Sequence, residues 1–224
     1  MDQTGTIDYD WLLGALLAPD REGLLRGLAD ALPDLWCDAY RQMTPTPTNI
    51  LQFTDHGFEY LFDFSSELVS AGTVPEEEAV EDRVVAVFGR SNPGLEKRDT
   101  SRMRGFLVAS AEVFGKNVDK GHFMGHALGG GLDVNLFPQR RDINRGWSKR
   151  GKVFRAMERY CAEHPGTFCF SRPLYDDRSW WPCAIEYGLL TEEETWWVEW
   201  FENTREPEGS AQVPVRALTA SGDA

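Results

Sequence analysis

Apolar residues between positions 8 and 43 recur at steps of three and four: Trp11, Leu12 and Leu13, Leu16 and Leu17, Leu24 and Leu25, Leu28, Leu32, then Leu35, Tyr40 and Met43. That spacing returns to one face at every turn of an α-helix and predicts helix across the segment. Pro19 and Pro33 punctuate the run, and each is expected near a helix start, where a missing N–H leaves no intrahelical bond unmade. The Pro- and Thr-rich stretch at 44–49 is stiff and marks a domain boundary.

Beyond it the pattern changes. FEYLFDF (58–64) and DRVVAVFGR (82–90) are aromatic, β-branched and strand-like, with the acidic run Glu76–Glu78 as a solvated loop or helix start between them. Residues 100–114 fit a short helix or an irregular strand equally well. A helix is predicted within 144–162, with Val153, Phe154, Met157 and Cys161 on one face. Residues 168–190 read as a hairpin with Tyr175–Arg178 in its loop. TEEETWW (191–197) opens with a Thr cap and early acids and predicts a further helix start. From Glu206 the chain is Pro, Gly, Ser and Ala without an apolar pattern, the composition of a disordered tail. The organisation expected is therefore an acidic helical region at 1–48, an α+β domain at 49–205 and a tail at 206–224.

Composition adds limits. The 224 residues, 42% hydrophobic with eight Trp, can build a sizeable core. No apolar run approaches the roughly 18 residues of a membrane span, so no membrane partner is expected. The acidic N-terminus lacks the basic-then-apolar order of a secretory signal, which leaves the cytoplasm or export by a signal-independent route. Cys37, Cys161, Cys169 and Cys183 form no CxxC pair, so buried thiols are expected rather than a thiolate zinc site. Cys169 and Cys183 are the two that a hairpin could bring together.

Charge is segregated. Residues 97–159 hold fourteen Lys or Arg against six Asp or Glu, a net of +8, which leaves −21 for the remainder of a chain that totals −13. A basic segment inside an acidic shell points to a local polyanion site. The alternative is a solvated basic helix that balances acidic neighbours.

That basic segment contains DKGHFMGHALGGGLDVNLFPQRRDIN, residues 119–144. Imidazole is the side chain able to take a proton near neutral pH without a large pKa shift, and His122 follows a glycine and a cation. Asn135, Gln139 and Asn144 supply amides. An amide oxygen is a neutral, hard ligand suited to Mg²⁺, which keeps most of its waters. Beside a phosphodiester, a neutral ligand holds metal without repelling the substrate. His126, four residues after His122, would make a zinc pair only on a helix, and the Gly-rich turn argues against one. Gly129–Gly131 lacks the Lys-Ser/Thr of a phosphate loop and reads as a turn. Asn144 as the N-cap of its helix is compatible with metal binding.

DKGHFMGHALGGGLDVNLFPQRRDINRG resembles the DNA/RNA non-specific endonucleases, which are ββα-metal or His-Asn finger nucleases. It is nearest in wording to the branch found in bacterial polymorphic toxins. The family pattern is Asp-Arg-Gly-His on a strand, then Asn-x-x-x-Gln, then an Asn that begins the metal-binding helix. The resemblance implies a ββα-metal core with an antiparallel sheet flanked by helices. It implies a metal-dependent, largely sequence-nonspecific endonuclease acting on DNA or RNA. His122 would be the general base, and Asn144 the single protein ligand of Mg²⁺, with Mn²⁺ as a substitute. Asn135, Gln139, Arg140 and Arg145 would frame and bind substrate. Lys120 stands where the family has Arg, which keeps the charge but loses the bidentate fork. Glu158 matches a family acid that orients metal-bound water. Fourteen residues of straight helix would set it about 21 Å from Asn144, so it requires a chain break, which Gly146 or Gly151 could supply. A phosphate-binding Arg is expected on an earlier strand: Arg90 by spacing, with Arg102 and Arg104 as rivals. Arg140, Arg141, Lys149, Arg150, Lys152 and Arg155 would touch phosphates or form a solvated face. The contrasting expectation is an inactive nucleic-acid-binding or assembly module on the same fold. An inhibitor or delivery protein would dock on the acidic helical region.

Overall fold

The computed structural model describes residues 6–93 and 117–205. Within them lie α1 (Tyr9–Ala15), α2 (Arg21–Met43), β1 (Ile50–Asp55), β2 (Phe58–Asp63), α3 (Ser65–Ser70) and β3 (Arg83–Arg90). Then come β4 (Val118–His122), β5 (Leu136–Arg140), α4 (Arg141–Asn144), α5 (Lys149–Glu163), β6 (Phe168–Leu174), β7 (Ala184–Leu190) and β8 (Trp196–Glu202). The ambiguous stretch 100–114, Arg102 and Arg104, and the tail from Glu206 lie outside the described residues.

The fold is α+β. Six strands form one antiparallel sheet in the order β1-β2-β3-β6-β7-β8, and β4 pairs with β5 in a separate two-stranded ladder. Each face of the large sheet carries its own core. On one face α1 and α2 lay Leu12, Leu24, Leu28, Leu32, Trp36 and Tyr40 against Val85, Phe88, Phe168, Phe170 and Leu190. On the other, Phe154, Met157 and Cys161 of α5 meet Phe123 and Phe137 of the β4–β5 unit over Val87, Tyr187, Leu189 and Phe201.

Helices from 1–48 thus share a core with strands from beyond position 49. A buried polar chain joins them as well. The Tyr9 hydroxyl donates to Glu186 Oε2 at 2.6 Å and accepts from Trp36 Nε1 at 3.1 Å. Arg172 Nε donates to the same Glu186 oxygen at 2.6 Å, and both ion-pair partners are only 2% exposed.

Three elements differ from the sequence expectation. Pro19 precedes the Asp20 cap of α2 as expected, but Pro33 lies inside that helix. An interior proline costs about 3 kcal/mol. The fully buried stripe Leu28, Leu32 and Trp36 on either side of it offsets that cost by packing on the sheet. Residues 191–197 do not start a helix: Thr191–Thr195 is a tight turn, with Glu194 at φ 59°, and Trp196 opens β8. WWVEWFE is dominated by β-favouring aromatics, and ladder pairing to β7 outweighs the helix-start signal of the acids. Finally, β1 carried no strand signal because it is an edge with Leu51, Gln52 and Thr54 largely toward solvent. It is set by the turn at His56 and Gly57, both at positive φ as a two-residue hairpin turn requires.

All four cysteines are free thiols, and Cys37, Cys161 and Cys169 are buried. Cys169 faces Leu189 across the β6–β7 ladder, and Cys183 precedes β7, so the hairpin does not place them opposite each other. No helix among the described residues is long and apolar enough to cross a membrane.

Candidate active site

The stretch from Val118 to Glu163 folds as two antiparallel strands, a sharp bend and a helix. Val118 pairs with Arg140 and His122 with Leu136, so β4 and β5 run alongside each other for five residues. The connection between them is built from close backbone approaches. Gly129 adopts φ 98°, and a β-carbon on Gly130 would run into the Met124 carbonyl oxygen. These glycines pack against the protein's own backbone, which agrees with a turn and leaves no phosphate cradle.

Asn135 locks this connection. It is wholly buried; its Oδ1 accepts from Met124 N at 2.8 Å, and its Nδ2 donates to the Met124 and Gly131 carbonyls, each at 2.8 Å. Every polar atom of the amide is spent on the loop that follows His122. Asn135 is therefore a clamp on that loop. Gln139 is also buried, 1% exposed, and packs on Gly121, where a β-carbon would stand 2.5 Å from the Gln139 Cβ. Among the described residues neither polar atom of the Gln139 amide has a hydrogen-bond partner.

On β4 the side chains alternate, so Lys120 and His122 share one face while Asp119 and Gly121 share the other. His122 is 9% exposed at the end of the strand. Burial lowers the Lys120 pKa from its ordinary value. His126 falls on a 3₁₀ turn, off any helix shared with His122. Among the described residues no group of three or more His, Cys, Asp or Glu gathers as a metal cage.

Asp119 is the hub of the second cluster. Its carboxylate accepts from Arg141 Nε at 2.9 Å, from Arg145 Nε at 2.6 Å and Nη2 at 3.0 Å, and from Asn144 Nδ2 at 3.4 Å. Burial alone would raise its pKa, but the bonds from Arg145, Arg141 and Asn144 outweigh it and hold the carboxyl below its usual value. Asn144 closes α4 and does not begin the long helix, as the sequence pattern suggested. Ser148 caps α5 instead, accepting from Gly151 N at 2.9 Å. The difference arises at Gly146, whose φ of 70° turns the chain between the two helices. Gly151 lies within α5 against the Asp142 carbonyl.

Glu158 lies within α5, beyond this break. The side chain is 9% exposed, Arg155 Nη1 donates to its Oε2 at 2.6 Å, and Oε1 abuts Gly125, three residues after His122. Burial pushes its pKa up to about 6 against the opposing Arg155 charge.

The other expected residues are sorted by their partners. Arg90 is not brought to this cluster; it makes two bonds, at 2.7 and 2.8 Å, to Glu22 of α2 on the opposite face of the sheet. Arg140 pairs with Asp142 and Glu202, and Arg150 with Glu199. A concavity of about 400 Å³ is lined by Arg145, Gly146, Lys152, Arg155, Ala156 and Arg159. Asp119 enters the motif without a role, and Arg159 and the exposed Trp147 carry no motif signal. Positions 152, 155 and 159 do share a helical face, and that spacing was the available signal.

No family model matches the chain, and no curated protein matches it. Among solved structures, the chain is similar at 16% identity and a TM-score of 0.35 to Sda1 nuclease with bound zinc ion, over 73% of this chain and 75% of that one. A likeness that distant carries no inference about chemistry.

Proposed function

We propose that the chain is a metal-dependent, largely sequence-nonspecific endonuclease that hydrolyses phosphodiester bonds of DNA or RNA and leaves 5′-phosphate ends. One observation carries the reading. The Asn144 amide stands 3.4 Å from Asp119 of the strand that ends in His122, in a segment that also carries the buried Glu158 carboxylate against Gly125 and a groove lined by Arg145, Lys152, Arg155 and Arg159.

The donor set fits a hard cation with few protein ligands. Asn144 Nδ2 is turned to Asp119, and an amide oxygen such as Asn144 Oδ1 suits Mg²⁺. Asp119 is saturated by two arginines and acts as the anchor that orients the amide. Mg²⁺, with Mn²⁺ as a substitute, would supply Lewis-acid stabilisation of charge on the phosphate and its leaving oxygen. The remaining work falls to side chains. His122 accepts the proton of the attacking water, the imidazole being suited to that transfer near neutral pH. Lys120 shares its face of β4 and contributes positive charge toward the scissile phosphate. Arg145, Lys152, Arg155 and Arg159 hold the flanking phosphates, contacts that carry no base information, hence the lack of sequence preference. Glu158 keeps the chain after His122 in register and offers a carboxylate to ordered water.

Purified protein incubated with plasmid DNA tests the reading: Mg²⁺ supports degradation, EDTA stops it, and His122→Ala and Asn144→Ala each abolish it. Digestion by both variants at the parent's rate would remove the site assignment. Binding that survives EDTA without cleavage under any metal would favour an inactive binding module instead.

A further inference from the structure

We propose that Trp147 is a base-stacking platform at the rim of the basic groove, so that the chain grips nucleic acid through an unpaired base as well as through phosphates. The proposal rests on the nuclease reading for the identity of its ligand. Trp147 is 64% exposed, and its backbone is tied down. It lies on the four-residue bridge between α4 and α5, with Gly146 at φ 70° before it and the Ser148 cap after it, and its own N–H donates to the Asp142 carbonyl at 2.9 Å. The Arg145 guanidinium lies over the indole, 5.0 Å from the ring centroid. That guanidinium is in turn fixed by two bonds to Asp119. One side of the indole is thus backed by a cation on a rigid anchor, and much of the ring is open to solvent.

Its neighbours decide what would cover it. Arg145 and Gly146, the two residues before it, line the groove that Lys152, Arg155 and Arg159 make positive. An apolar protein face would meet these cations at a desolvation cost. A nucleic-acid strand satisfies both features: phosphates track the groove while a base stacks on the aromatic ring, the arrangement used to hold single strands. A closed duplex offers phosphates but keeps its bases stacked on one another. The platform therefore selects single-stranded segments, ends and bulges.

The test uses the His122→Ala chain, so that cleavage does not intrude, and measures fluorescence anisotropy with three labelled probes of equal charge. These are oligo(dT), the same length of abasic strand and a duplex. Adding Trp147→Ala should weaken oligo(dT) binding about tenfold and leave the abasic strand and the duplex within about twofold, while Trp147→Phe retains most of the affinity. Equal losses on all three probes, or no loss on oligo(dT), would overturn the platform. Failure of the parent to cleave any nucleic acid with Mg²⁺, while the base-dependent loss persists, would instead remove the nuclease reading and leave the platform standing.

Discussion

Glu158 Oε1 lies 2.5 Å from the point where a β-carbon on Gly125 would stand. The contact ties the loop after His122 to the middle of α5, and the other Glu158 oxygen is held by Arg155 at 2.6 Å. A methyl group at position 125 therefore forces the carboxylate or the loop to move. Gly125→Ala is expected to lose about 1 kcal/mol of stability, the low end for overpacking because the methyl meets the tip of a side chain, and to reduce cleavage by displacing the Glu158 carboxylate. Urea unfolding and a plasmid assay read the two effects. Parent-like values in both would mean that the loop and the helix do not meet there.

The same carboxylate sets a pH dependence. Its pKa is raised by burial to about 6 from an ordinary 4.5, so between those values the folded chain binds more protons than the unfolded one. The stability linked to this group is complete below pH 4.5 and is lost as pH rises through 6. A shift of that size corresponds to about 2 kcal/mol. In EDTA, Glu158→Gln should remove about that much of the stability loss seen by urea unfolding between pH 4.5 and pH 7. An unchanged pH profile would place the carboxylate in solvent.

What the chain disclosed beforehand, and what it hid, follows from the range of each signal. The helical run through Leu28 and Leu32, the hairpin at 168–190 and the helix face of Phe154, Met157 and Cys161 are periodic, and each appears in the fold. Asn144 was misplaced from helix start to helix end because Gly146 and the Ser148 cap decide the boundary within three residues. Local signals lost to tertiary pairing at 191–197, where β7 offered a ladder edge. Arg90 looked apt by spacing along the chain, but only the sheet's two faces reveal that it points to Glu22. Asn135 was legible as part of the motif and illegible in role, since its three bonds run to the backbone of Met124 and Gly131.

Asn135 yields a sharp distinction between clamping and substrate contact. Replacing it by Ala leaves the Met124 N–H and two carbonyls unpaired in the interior. Unsatisfied buried groups cost about 1–3 kcal/mol each when solvent cannot reach them, so a loss of roughly 3 kcal/mol or more is expected from Asn135→Ala in thermal or urea unfolding. A substrate-contacting residue would instead raise KM with stability unchanged, and that outcome would refute the clamp.

The groove itself is best read through salt. Each phosphate neutralised by a cation releases counterions, so the logarithm of affinity falls with the logarithm of salt in proportion to the number of contacts. Lys152 and Arg159 line the groove, and neither is among the described ion pairs, whereas Arg155 is also bound to Glu158 and its loss would mix two effects. Lys152→Gln and Arg159→Gln are each expected to reduce the salt slope for duplex binding by about 1 and to weaken binding uniformly across sequences. Arg90→Gln serves as the internal control. Its guanidinium is held by Glu22 on the face of the sheet away from α5, so its slope should match the parent's. A flattened slope in Arg90→Gln with none in Lys152→Gln and Arg159→Gln would move the nucleic-acid track to the other side of the sheet.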